Sequence, residues 1–339
     1  MTMRQLFESM KKHPRFYVTL TAFIVFILLS VIAYLFCLQA VRAERHARYV
    51  GIMNVASEKI AKTIRGMEMN AKNVFDEVEK HLDSPESVIG ALSSKTGLNP
   101  EIRGYFAAFE PNYFPEKGYW FEPYVHHVDS GDFELRLVGS AQHKYHKSSW
   151  YVRAKKSHEE FWSEPYYYYD GTNISGHYTT FVKPIYDDNW TLICVCGADM
   201  TFEWLAQELQ RIDKQIHNDP LLNENSFFGS DADFYTVVIN DDGRCIAGPK
   251  DKIVPLTGDQ IRSSLAQQKS GTMDLKVKGV PSTIYFTPID HVDWSVGVIV
   301  AKPWFLKPMF GLALLLLALS FMGTVAVWLA CRRSLFRNN

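Results

Sequence analysis

HYTTFVKPIYDDNWTLICVCGADMTFEWLAQELQRI, His177 to Ile212, sets two strand-like runs, a turn and a helix in one unbroken line. HYTTFVKPIY and NWTLICVCGA are rich in aromatic and β-branched residues, which fit a pleated, half-buried surface. Asp187-Asp188-Asn189 between them supplies turn chemistry, so the stretch predicts an antiparallel hairpin. Thr201 then stands where a helix N-cap belongs, and Leu205, Leu209 and Ile212 recur on one face of the helix that follows.

The same texture extends upstream. After Asn99-Pro100 come GYFAAFEP and FELRLVG, the latter alternating Phe133, Leu135 and Leu137 with Glu134 and Arg136, with Asp129-Ser130-Gly131-Asp132 as a turn before it. Downstream, the polar DKQIHNDPLLNENSFFGSDAD reads as a linker. A smaller strand group begins at DFYTVVINDDGRCIAGP, where Asp241-Asp242-Gly243 is a hairpin turn. It continues through a helix near Gly258 to Gln268 and the strands TMDLKVKG, STIYFTPI and WSVGVIVAK.

Two apolar segments flank all of this. Phe16 to Leu38 and Pro308 to Cys331 are free of charge, and each is about the 20 residues that span a bilayer. The first is longer than the apolar core of a cleaved leader and no clean small-x-small site follows it, so it reads as an anchor. Arg4, Lys11, Lys12 and Arg15 precede it, and Arg332, Arg333 and Arg337 follow the second span. Both ends therefore read as cytoplasmic, against the opposing signal of Arg42, Arg45 and Arg48. From Ala43 to Leu82, apolar residues such as Met53, Ile60, Ile64, Met67, Val74 and Val78 recur at three- and four-residue steps, which predicts a long amphipathic helix continuing out of the membrane. Asp83-Ser84-Pro85-Glu86 ends it and starts another, with Ser84 as N-cap and Pro85 at the first helical position.

The expected architecture is α+β and membrane-anchored: a long N-terminal stalk helix and two tandem PAS-like lobes between two transmembrane helices. The expected boundaries are a cytoplasmic N-terminus 1–15, a first span 16–38, a stalk 39–82, a distal lobe 83–215, a linker 216–229, a proximal lobe 230–304, a second span 308–331 and a tail 332–339. Lys+Arg 36 against Asp+Glu 37 gives no electrostatic case for nucleic acid. Cys194, Cys196 and Cys245 are the exported cysteines, and Cys194 and Cys196 point the same way along one strand, poor geometry for bridging each other. They read as small core residues; a metal site built from them with His126, His127, His143 or His146 lacks ligand spacing. No nucleophile-elbow or H-E-x-x-H pattern occurs, so no catalytic residue, metal or cofactor is expected.

The run YYYYD, Tyr166 to Asp170, is the chemically unusual stretch. Only alternate tyrosines of a strand share a face. With Trp150 and Tyr151, an inward pair offers aromatic faces, and Asp170 and Asp199 offer negative charge, a box suited to an amine-bearing molecule. Packing is the competing reading of the aromatics. Asp170 before Gly171 equally suits a turn, and Asp199 equally suits a helix start.

WY at 150–151, WSEPYYYYD at 162–170, YTTFVKPI at 178–185, CGADMTFEWL at 196–205 and FYTVVINDDGRCIAGP resemble the extracytoplasmic double-Cache sensor domains of bacterial transmembrane receptors, over roughly residues 16 to 331. The flavour is similar to sensors that precede serine phosphatase or histidine kinase output domains. In that family the distal lobe carries the ligand. The resemblance carries Trp150, Tyr151, Tyr168 or Tyr169, Asp170 and Asp199 over as ligand-binding residues. The family's arginine two positions before the Trp-Tyr pair is Ser148 here, which removes the natural fork for an α-carboxylate. The chain is thus expected to be a non-enzymatic receptor in the cell inner membrane with its lobes exported. Its expected partners are a small molecule (amine, amino acid or organic acid), the lipid bilayer, a second copy as homodimer and a cytoplasmic signalling partner. The competing expectation is the sensor portion of a longer phosphatase or kinase.

Overall fold

A computed structural model describes residues 14–94, 101–128, 132–169, 175–219, 234–249, 267, 269–302 and 306–336. Asp170, the Tyr169 side chain, the turn at 129–131, the helix expected near 258–268 and most of the expected linker lie outside the described residues. The chain divides into two compact units. One gathers residues up to 50 and from 301 onward, and the other residues 51–222 and 233–300.

The first helix, α1, runs without a break from Pro14 to Lys80, and so supplies residues to both units. Within the larger unit its buried face is Ile52, Met53, Ile60, Ile64, Met67, Val74, Phe75 and Val78, the stripe that the three- and four-residue spacing marks out. Phe75 stacks on Phe181 at 6.2 Å, Lys183 Nζ reaches Asp76 Oδ1 at 2.7 Å, and Trp162 Nε1 donates to Glu68 Oε1 at 2.8 Å. Ser84 caps α2 (Pro85–Ser94) by accepting from Ser87 N at 3.2 Å.

The larger sheet is built from β1 (Gly104–Phe109), β2 (Pro123–His127), β3 (Phe133–Leu137), β4 (Phe161–Trp162), β5 (Tyr166–Tyr169), β6 (Ser175–Tyr186) and β7 (Leu192–Thr201). Its order is β3-β2-β1-β7-β6-β4, with β5 on β6. The hairpin read from His177 to Ala198 is β6–β7, antiparallel, with Thr180 opposite Asp199. Two helices belong to this lobe, α3 (Ser149–Ser157) and α4 (Phe202–His217), and Thr201 caps α4 by accepting from Trp204 N. Gly197 sits under the Phe106 ring; a Cβ there would lie 2.1 Å from Phe106 Cζ, so only glycine lets that ring cross β7.

The smaller sheet holds β8 (Phe234–Asn240), β9 (Cys245–Ala247), β10 (Gly271–Val277), β11 (Val280–Pro288) and β12 (Trp294–Ala301) in the order β10-β11-β12-β8-β9. Gly243 adopts φ 76° in the Asp241-Asp242-Gly243 turn between β8 and β9, a conformation glycine enters without a Cβ clash. Asp213 of α4, buried, accepts from Thr236 N at 3.0 Å and from the Thr236 hydroxyl, tying the helix to β8.

In the smaller unit, α1 and α5 (Leu306–Phe336) contain the two segments long and apolar enough to cross a membrane. Ser30 Oγ and Ser320 Oγ lie 2.7 Å apart, and the Phe26 ring packs on Gly323.

Candidate ligand pocket in the larger lobe

The larger sheet leaves a cavity of about 370 Å³, lined chiefly by Phe106, Tyr124, Trp150, Tyr166 and Tyr168 with Asp199, Glu122 and His143 as ionisable groups. The elements explain why these meet. Phe106 is on β1 and Tyr124 opposite it on β2, their rings 6.5 Å apart. Trp150 comes from the first turn of α3 and lies 5.0 Å from Phe106. Tyr166 and Tyr168 are alternate residues of β5 and share its inward face, while Tyr167 between them is 62% exposed and reaches only the rim. The loop carrying His143 is pinned by Tyr145, whose hydroxyl donates to Phe109 O at 2.7 Å.

Asp199 is the polar anchor. It lies near the end of β7, a strand paired on both sides, and is buried. Its cross-strand neighbour Thr180 donates to Asp199 Oδ1 at 2.6 Å. That uses the single Thr180 hydroxyl proton, so Tyr166, 2.7 Å from Thr180 Oγ1 and 3.4 Å from Asp199 Oδ1, is the donor toward both. Burial pushes the Asp199 carboxyl up to about 6; Thr180, Tyr124 and Tyr166 work the other way, and the charge of Glu122 adds to the rise.

Glu122 supplies the second carboxyl group of the cavity. It is buried, and its pKa is raised by burial against the pull of His143, whose Nε2 stands 3.2 Å from Glu122 Oε2. Burial opposes the His143 cation, but the contact with Glu122 and its charge outweigh that and hold His143 above its ordinary value. The Tyr124 hydroxyl is buried beside Asp199 with no aligned hydrogen-bond partner among the described residues. No Lys or Arg is among the described residues that line the cavity.

Of the residues singled out from sequence, Trp150, Tyr168 and Asp199 line one cavity. Tyr151 does not: it is 2% exposed, and its hydroxyl donates to Glu110 Oε1 at 2.8 Å, so it belongs to the packing of α3. The partner of Tyr168 on the inward face is Tyr166, two residues away, rather than the adjacent Tyr169. Sequence reasoning passed over Glu122, Phe106 and Tyr124, and weighed His143 only as a metal ligand. Glu122 left a usable signal, as a carboxylate inside the aromatic run GYWFEPY. Ser148, where the resembling family has arginine, does line the cavity, and its side chain makes no cap hydrogen bond to α3.

Residues 88–207 match the family described as "Methyl-accepting chemotaxis protein-like, first PDC sensor domain". No curated protein matches the chain. Among solved structures, the extracellular domain of mmHK1S-Z3, described as a histidine kinase, superposes with a TM-score of 0.60 at 17% identity, over 77% of this chain and 97% of that one. The periplasmic sensory domain of the Campylobacter jejuni chemoreceptor Tlp1 gives 0.57 at 14% identity, over 77% and 94%. The ligand-binding domain of the Pseudomonas fluorescens chemoreceptor CtaA, solved with L-serine, gives 0.52 at 15% identity, over 77% and 99%. Residues 88–207, which hold every described residue lining the cavity, thus match a PDC sensor domain, and over 77% of its length the chain shares the fold of an extracellular sensor domain.

Proposed function

We propose that this chain is the sensing part of a transmembrane receptor whose distal pocket binds a small amine-bearing molecule. The two apolar helices cross the cytoplasmic membrane, both termini are cytoplasmic, and the lobes are exported. The observation that carries the ligand class is an aromatic-walled cavity with two buried carboxyl groups, Asp199 and Glu122, and no Lys or Arg among its described lining residues. A cation over such rings gains about 0.5–2 kcal/mol per contact, and a charge-assisted bond to a carboxylate about 1.5–3 kcal/mol. A ligand ammonium occupies the space beside Asp199 and Tyr166 and satisfies the Tyr124 hydroxyl by donating to its phenolic oxygen.

The route proposed for the signal runs through α4. Asp199 lies two residues before the cap of α4, α4 holds β8 through Asp213 and Thr236, and β8 pairs with β12, whose chain leads to α5. A ligand that draws on Asp199 thus acts at the head of a helix clamped to the proximal lobe.

A thermal-shift screen of the purified full chain in detergent, against amines, amino acids and dicarboxylates, tests the ligand class. At 100 times its dissociation constant a ligand stabilises by about 2.7 kcal/mol. Amines are expected to stabilise the protein, with the effect lost in Asp199→Asn. Stabilisation by dicarboxylates alone overturns the assignment.

The CtaA domain has been solved in complex with L-serine and with L-leucine, which favours an amino acid as the second reading. In that case the carboxylate faces Ser148, Ser149 and the N-terminal turn of α3, and amino acids shift the protein more than the matching amines do. On output, the likeness to domains described as histidine kinases supports the sensor portion of a longer enzyme. An in-frame continuation in the DNA downstream of the Asn339 codon supports that version, and a stop codon supports a receptor acting through a separate partner.

A further inference from the structure

Strand β3 closes one edge of the larger sheet, and its exposure pattern is inverted for such a position. Phe133, Leu135 and Leu137 are 41%, 44% and 58% exposed, whereas Glu134 and Arg136 are partly covered on the other face. The hydrogen-bond phase of the strand is fixed by its two ends: Val128 N donates to Asp132 O at 3.0 Å and Val138 N to Glu122 O at 3.0 Å. Because antiparallel pairs alternate between bonded and non-bonded, the even-numbered residues of β3 direct their backbone groups at β2. The N–H and C=O groups of Phe133, Leu135 and Leu137 therefore point out of the sheet, and no described residue pairs with them. The same three residues thus present open backbone and open apolar side chains, a combination that soluble edges avoid.

We infer that the edge of β3 pairs with the same edge of a second copy of this chain, antiparallel, about a twofold axis at Leu135. The residue pattern selects that partner and that register. With Leu135 opposite its own copy, Phe133 faces Leu137 and each opposed pair is of the bonded kind, so every outward N–H and C=O from 133 to 137 finds a partner. On the opposite face Glu134 then lies across from Arg136, twice. Sliding the register by two residues in either direction sets Glu134 against Glu134 or Arg136 against Arg136, a like-charge pair directly opposite, which is destabilising. A slide by one residue is excluded, because it sets apolar side chains beside charged ones from the opposite face. Glu134 and Arg136 already hold each other at 3.0 Å within one chain, so the charges are in place before the second copy arrives.

Cysteine mapping of the full chain in native membranes tests the register. Paired residues of the bonded kind stand about 5.5 Å apart at Cα, within disulfide reach. Leu135→Cys is expected to cross-link to itself under mild oxidation, above the background of the parent chain. Phe133→Cys is expected to cross-link only when co-expressed with Leu137→Cys. Glu134→Arg should abolish the Leu135→Cys product, and adding Arg136→Glu should restore it. Failure of Leu135→Cys to cross-link above the parent, or equal cross-linking by Phe133→Cys alone, overturns the inference, as does capture of a different protein at Leu135→Cys in place of a second copy.

Discussion

Asp199 carries a pH dependence whose sign follows from its environment. Its carboxyl is raised from 3.8 to about 6, so between those values the folded empty protein holds a proton that the unfolded chain has released. Folding stability from this group is greatest at low pH and is lost as pH rises through about 6. Binding of a cation has the opposite sign, since it requires the carboxylate. Amine affinity is expected to be flat above about pH 7 and to fall by up to about tenfold per unit well below pH 6, one proton being taken up as the ligand leaves. Calorimetric titration from pH 5 to 8 measures this, and Asp199→Asn should remove both the slope and most of the affinity. Tyr166→Phe deletes a donor that favours the Asp199 carboxylate. It should move the midpoint of that pH profile upward while leaving the wall of the pocket in place, a shift that a purely structural role of Tyr166 does not produce. The identity of Asp199 and Trp150 as pocket residues was legible in the sequence, because both stand in motifs. Glu122 and His143 were not: their relevance arises from a contact between a residue just before β2 and a loop that sequence spacing does not fix.

Helix α4 is the element on which the two lobes meet in one compact unit. Its cap and apolar face were readable because both are local properties of TFEWLAQELQRI. Its connection to β8 was not, since Asp213 looks like one more charge on a solvated face until β8 is set against it. Asp213→Ala leaves the Thr236 amide and hydroxyl buried without their partner, at a cost of about 1–3 kcal/mol. Denaturant unfolding of the purified chain should show that loss, and hydrogen exchange should show faster opening of β8. Amine binding in the distal pocket is expected to survive, while ligand-dependent protection of β8 and β12 disappears. Retention of that protection would show that the signal does not pass through α4.

At the scale of the whole molecule, the pairing of α1 and α5 is built on small residues. Ser320 is 3% exposed, donates to Leu316 O at 2.9 Å and meets Ser30 Oγ, one turn from the contact of Gly323 with Phe26. In the function proposed above both helices lie in the bilayer, where hydrogen bonds between helices average about 0.6 kcal/mol, so Ser320→Ala should leave the helices together, whereas Ser320→Leu forces bulk into a close approach. Spin labels at Leu28 and Leu317, both exposed, should report an unchanged distance for Ser320→Ala and a longer one for Ser320→Leu.

The sequence by itself determined the mixed α/β class, the two apolar helices, the long amphipathic α1, the β6–β7 hairpin and the capped α4. Each is set by periodicity, capping or turn chemistry acting within a few residues of chain. The tertiary structure alone decided which tyrosines of the YYYYD run face inward together, that Tyr151 packs against Glu110 instead of lining the cavity, and that Glu122 and His143 join Asp199 there. It also decided that β3 is an edge. These are consequences of strand order and register, which bring together residues far apart in the chain, and no local pattern encodes which strands become neighbours.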